Sequence, residues 1–232
     1  MKIAGVSTTL LIAYILVALP WAALRGARRL RAARDGHGPA FPSRDALYKG
    51  TIVSLGLLLV LALLAAFDLG YPIFAWHPVV RRDVPAAMLA LAVQFALARL
   101  SRAMHSDEQR RKSTVYFMAP RQRREWILWT TAVLLAGVAE EAAYRGVGWS
   151  VLSMTLGPSF GVLVCATAFA LAHAAQGWKS GMVIFGFALV FHALVAFTQT
   201  LVLAMAVHVI YDMSIGYRIS RDVRRDLESV HA

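Results

Sequence analysis

Of the 232 residues, 59% are hydrophobic and only 16% are charged, more apolar surface than a soluble domain of this length needs to bury. The formal charge of +11 comes from arginines and lysines gathered in short gaps between apolar runs, where they act as topology signals; no folded basic domain remains to carry a nucleic-acid surface. The apolar runs are continuous rather than alternating, which argues against a membrane β-barrel and for an all-α, polytopic transmembrane helix bundle whose partner is the lipid bilayer, not nucleic acid.

About seven spans are expected, within a range of six to eight. The first, Val6 to Leu24, follows Lys2 and precedes an arginine-rich stretch that resists export, so it reads as a retained helix rather than a cleaved signal peptide. The stretch itself, "RGARRLRAARDGHGPAFPSRD", is the nearest thing to a flexible linker. Thr51 to Phe67 is the second span. Val84 to Leu100, short and interrupted by Gln94, is the third, and Trp129 to Thr155 the fourth. Phe160 to Gln176, Gly181 to Phe197 and Leu201 to Tyr217 complete the set, the last two parted by a tight "TQT" turn. Residues 1–125 then hold the N-terminal spans and basic loops, 126–217 a membrane core, and 218–232 a basic tail. Trp126, Trp129, Trp149 and Trp178 fall near span ends and read as interface anchors. No internal repeat or lipidation signal is visible. The single cysteine, Cys165, lies in an apolar run and reads as a small buried hydrophobe.

With seven spans, twenty lysines and arginines fall on one side of the membrane, against Lys2, Arg81 and Arg82 on the other. The split puts the N-terminus outside and the C-terminus in the cytoplasm. Compactness and an Ala/Arg-rich composition point to the cytoplasmic membrane of a prokaryote.

Once these charges are placed, Glu140, Glu141, Arg145 and Asp212 remain inside spans, with His173, His192 and His208. An intramembrane charge costs roughly 2.5–3.5 kcal/mol even on the lenient insertion scale, so such residues face the bundle interior and serve a purpose. A structural ion pair is the bland alternative. Glu141 and Arg145, four apart with the acid first, can pair on one helical face, whereas Glu140 lies about 100° around the helix and is left free. "FALAH" brings Phe169 and His173 onto one face, and "HVIYD" does the same for His208 and Asp212. At about 1.5 Å per residue, Glu140 and His208 sit roughly 17 and 14 Å from the inner edge, but His173 only roughly 5 Å, which a tilt or an extension of its helix through Gly177 and Trp178 would correct. Tyr144, four after Glu140, is placed to hydrogen-bond that carboxylate or simply to pack. His192 reads as a packing or polar-contact residue.

A carboxylate among apolar groups takes up a proton more readily than one in water, so a free glutamate beside imidazoles can activate water and later return the proton. That is the chemistry of an amide hydrolase, with an imidazole and its neighbouring Asp212 available to stabilise an oxyanion. The other assembly is His173, His208 and a carboxylate around a divalent metal such as zinc, which would lower the pKa of bound water to about 7. A non-enzymatic reading also exists: a proton-coupled transporter or immunity-type membrane protein using these groups as a relay.

"EEAAYR" (Glu140 to Arg145), "FALAH" and "HVIYD" resemble, in order and in separate spans, the EExxxR, FxxxH and HxxxN/D motifs of the CAAX-protease and bacteriocin-processing family of intramembrane proteases. The resemblance covers roughly Trp126 to Tyr217. It implies Glu140 as the water-activating base, His173 as its catalytic partner, His208 and Asp212 as the oxyanion-stabilising or metal-binding element, and Glu141, Arg145 and Phe169 in support. Aspartate stands at position 212 where the family more often has asparagine. The implied substrate is a membrane-associated peptide or protein cut near its C-terminus. Other intramembrane proteases are excluded: there is no HExxH, no GxSG-type serine site and no pair of intramembrane aspartates.

Overall fold

A computed structural model describes residues 5–37, 40–75 and 81–231, and every regular element among them is helical. Lys2, counted above in the charge split, lies outside the described residues. Helix α1 is Val6–Arg34, α2 Arg44–Leu69, α3 Asp83–Ala103, α4 Asp107–Arg111, α5 Thr114–Met118, α6 Arg123–Leu156, α7 Pro158–Ala172, α8 Trp178–Thr198 and α9 Leu201–His231.

Local chemistry sets the boundaries. The Ser43 side chain accepts from the Ala46 N–H to start α2, and Gly70, in the left-handed region at φ 64°, ends it. Ser106 with Gln109, and Gln122 with Glu125, form capping boxes that open α4 and α6. Gln199, also left-handed at φ 56°, makes the turn between α8 and α9 at the expected "TQT".

Among the described residues six helices, α1, α2, α3, α6, α8 and α9, are long and apolar enough to cross a membrane. The expected fifth span is the exception: α7 has 15 residues and stops at His173. At 1.5 Å per residue it measures about 22 Å, short of a hydrocarbon core of about 30 Å. The extension through Gly177 and Trp178 does not occur. A 3-10 turn, Ala174–Gln176, follows, and Gly177 at φ 86° breaks the path before α8. His173 therefore sits at the end of a partial helix inside the bundle rather than near the rim of a full span.

Large apolar side chains point outward along the long helices, Phe67 at 86% exposure and Val53 at 72% among them, which fits a lipid surround. The interior uses small residues. Ala62, Ala65, Ala139, Ala142, Ala143 and Ala166 are fully buried or nearly so, letting α1, α2, α6 and α7 approach closely. Cys165 is buried and free, as expected. Two glycines mark where α6 meets α9: a Cβ on Gly137 would lie 2.6 Å from Val209 Cγ2, and one on Gly216 would lie 2.4 Å from the Trp129 ring. Trp129 thus packs between the two helices.

The basic segments gather at one end of the bundle. Arg102 pairs with Asp222 at 2.7 Å, Arg111 with Asp226 at 2.9 Å and Arg44 with Glu125 at 2.7 Å, tying α3, α4 and α2 to α9 and α6.

Candidate active site

The centre is built on an irregularity. Within α6, the segment Glu141–Gly148 is π-helical, and all eight of its residues are buried. One extra residue per turn is a costly backbone choice that recurs at functional sites. Small residues make room for it: a Cβ on Gly148 would lie 2.5 Å from the Ala143 carbonyl oxygen five residues back. Glu140 is the last α-helical residue before the wide turn, and Glu141 the first within it.

Glu141 and Arg145 pair at 3.2 Å with neither side chain exposed. The same carboxylate oxygen of Glu141 also accepts from His208 Nδ1 at 2.8 Å, a contact between α6 and α9 that the helical spacing does not reveal. Arg145 lies over the rings of Phe169, at 4.3 Å, and Phe191, at 5.1 Å, so two aromatic faces help to hold its charge. His208 stacks on Phe191 at 5.1 Å. Sequence reasoning missed Phe191, which sits beside His192 with no pattern to single it out. The other Glu141 oxygen, Arg145 Nε and one of its terminal nitrogens find no partner among the described residues.

Because the Glu141 carboxylate can only accept, Nδ1 of His208 carries the proton there, and Nε2 is aimed at the remaining acids. It stands 3.7 Å from Glu140 and 3.6 Å from Asp212. Glu140 is 13% exposed and Asp212 32%, against zero for Glu141, so the two adjacent glutamates occupy different environments. His173 donates from Nδ1 to the Phe169 carbonyl at 2.8 Å, since a carbonyl oxygen only accepts, and its ring packs on Phe169 at 4.6 Å. The free Nε2 belongs to a ring that comes near both Glu140 and Asp212. All four residues picked from the sequence as catalytic are thus assembled from α6, α9 and the end of α7.

Two neighbours stand apart from this group. The Tyr144 hydroxyl has no hydrogen-bond partner among the described residues and its ring meets Phe169 edge-on at 5.2 Å, the packing outcome of the two foreseen. His192 is buried with Nε2 unpartnered. Among the described residues no group of three or more His, Cys, Asp or Glu side chains is set to hold a metal ion. One nitrogen of each imidazole is held, Nδ1 of His208 by Glu141 and Nδ1 of His173 by a backbone carbonyl, which orients each ring and leaves its Nε2 open to water, substrate or a metal ion.

Fold and site define a multi-pass helical membrane protein with a buried centre of acids and imidazoles. Residues 122–214 match the family model "Type II CAAX prenyl endopeptidase Rce1-like", a protease family, and the resemblance carried by the three motifs holds over that segment. It takes in Glu140, Glu141, Arg145, Phe169, His173, His208 and Asp212. No curated protein and no solved structure matches the chain.

Proposed function

We propose that the protein is an intramembrane endopeptidase of the glutamate type, hydrolysing a peptide bond near the C-terminus of a membrane-associated protein or peptide. The reading places it in the cytoplasmic membrane with the arginine-rich end facing the cytoplasm. The observation that carries it is the division of labour between two adjacent glutamates. Glu141 is fully buried and bonded to both Arg145 and His208, while Glu140 keeps some exposure and stands just beyond direct hydrogen-bond reach of His208 Nε2. A water about 2.8 Å from both can sit at the apex of that gap.

In this reading Glu140 takes a proton from the water as its oxygen attacks the scissile carbonyl. Glu141 fixes the ring of His208 so that Nε2–H points at the developing oxyanion, and Asp212, four residues on, favours the protonated ring without itself approaching the oxyanion. His173, with Nδ1–H spent on Phe169, offers only Nε2 to the reaction; it delivers a proton to the leaving amine and is restored by the proton that Glu140 took from the water, which frees both groups for the next turnover. The proton lost by water is matched by the one gained by the new amino terminus. Arg145 pairs with Glu141 and so acts through it.

The test compares the C-termini of membrane proteins in cells carrying the wild type or Glu140→Gln. Uncut precursors are expected to accumulate in the variant; identical C-terminal profiles would count decisively against a protease.

A further inference from the structure

A cavity of ≈ 830 Å³ opens at the arginine-rich end of the bundle. That volume is typical of pockets for small ligands, and suits a few residues of peptide. Its floor is apolar, formed by Ile184, Phe187, Tyr211 and Ile215. Tyr211 directly precedes Asp212, and Ala175 on the wall lies two residues after His173, so the lining comes within one or two residues of the buried centre, whose own four side chains do not line the cavity.

Its walls are basic, and half of that charge is unopposed. Three acids line the cavity and each is already committed: Asp107 to Arg110, Asp222 to Arg102 at 2.7 Å, and Asp226 to Arg111 at 2.9 Å and to the Tyr116 hydroxyl. Burial and the Asp226 contact push the Tyr116 phenol up to about 12, so it remains a donor to that acid. Lys112 is held by Glu108 at 2.5 Å. Arg31 and Arg34 from α1, and Arg218 and Arg225 from α9, have no carboxylate partner among the described residues; Arg34 only overlies the Phe41 ring, at 5.7 Å.

Helical spacing separates these arginines from the ones that face lipid. On α1, Ala27, Leu30, Arg31 and Arg34 fall on one face and line the cavity, whereas Trp21, Leu24, Arg25 and Arg28 line a separate surface recess, Arg25 lying 5.1 Å over the Trp21 ring. The second group pairs aromatic with cation as membrane-interface anchors do. On α9, Arg218, Asp222 and Arg225 follow the same spacing into the cavity, while Arg221 and Arg224 do not line it.

We propose that this vestibule docks an acidic segment of the peptide substrate, its carboxylates held by Arg31, Arg34, Arg218 and Arg225 while adjoining apolar residues lie along the floor toward Glu140; the proposal rests on the protease reading above. Guanidinium forks match carboxylates in geometry and charge, and a concave basic wall concentrates the field felt by an incoming anion. A membrane surface is the competing polyanion, but it meets convex faces, and the arginines suited to it are those beside Trp21.

The experiment uses the full chain in neutral phosphatidylcholine vesicles, in the Glu140→Gln background so that bound peptide is not consumed and a chain that cleaves nothing still gives an answer. The probes are fluorescein-labelled decapeptides of Leu, Ala and Ser carrying three Glu, three Gln or three Lys, titrated by anisotropy. The Glu peptide is expected to bind about tenfold or more tightly than the Gln peptide, and the Lys peptide more weakly than either. Adding Arg31→Gln with Arg218→Gln should bring the Glu peptide down to the Gln level, whereas Arg25→Gln with Arg28→Gln should leave it unchanged. If the first pair impairs folding, the single substitutions are expected each to give part of the loss. Charge-indifferent binding, an equal loss from both pairs, or displacement of the Glu peptide by phosphatidylglycerol in the vesicles would overturn the docking proposal. Uncut precursors missing from the C-terminal comparison would instead overturn the protease reading alone.

Discussion

Two regions of this molecule use the same pairing of arginine with carboxylate to opposite ends. At the arginine-rich end, Arg102–Asp222 and Arg111–Asp226 are short, at 2.7 and 2.9 Å, and partly exposed on both sides. In the core, Glu141–Arg145 is longer, at 3.2 Å, has no exposure, and leaves three polar atoms without protein partners. By distance alone the outer pairs are better. Surroundings reverse the ranking, because water and salt screen the outer pairs while an unpaired charge at the centre would have nothing but oil and aromatic faces around it.

The sharpest way to break this contrast is at the glutamate that is not locked. Glu140→Gln keeps the shape but removes the base, so peptide cleavage should fall about 10²- to 10⁴-fold with little change in thermal unfolding measured in detergent. Equal activity would mean that Glu140 only fills space. Next comes the locked one. Glu141→Ala leaves Arg145 buried without its anion and His208 without its anchor, and should destabilise the fold by about 3–5 kcal/mol. Combining Glu141→Leu with Arg145→Met, which removes both charges, should recover most of that loss while activity stays low. A Glu141→Ala protein that melts like the wild type would show that water reaches the pair and that the contrast between regions is false.

The sequence makes one half of this contrast legible and hides the other. Composition alone reveals a membrane bundle, and spacing at i, i+4 brings Glu141 and Arg145 together correctly. The three motifs mark the acids, the arginine and the imidazoles of the centre, because each lies in an apolar run where a charge stands out, but not Phe191, which packs on Arg145 and His208. Hidden are the features that depend on contacts between distant helices. Nothing in "EAAYRGVG" distinguishes a π turn from an α turn beyond its small residues, and the bond from His208 to Glu141 joins positions 67 apart. The short α7 was half visible: Gly177 is a readable breaker, but the apolar run continues past His173 and masks where the helix ends. The vestibule has no local signature, since its walls come from four segments.

Packing between α6 and α9 supplies an intermediate test. Gly137→Ala would set a methyl 2.6 Å from Val209 Cγ2 and 3.2 Å from the Met205 carbonyl, on the seam that fixes the gap between Glu140 and His208. About 1–3 kcal/mol of stability should be lost as the helices part. Cleavage should fall further than stability explains, because a displacement of about 1 Å between reacting groups can cost roughly 10²-fold. A loss confined to stability would mean that the seam does not set the catalytic distance.

The smallest effect belongs to the outer ring. Arg102 and Asp222 are 41% and 31% exposed, so their attraction is screened and offset by the entropy of holding two side chains in one geometry. Asp222→Asn should change stability by about 0–1 kcal/mol, and raising the salt from 0.1 to 1 M should erase the difference. The same substitution frees Arg102 as a further unopposed guanidinium in the vestibule, so binding of the Glu-bearing peptide should tighten even as the fold barely responds. A large loss of stability would place this pair with Glu141–Arg145, among the charges that the bundle cannot do without.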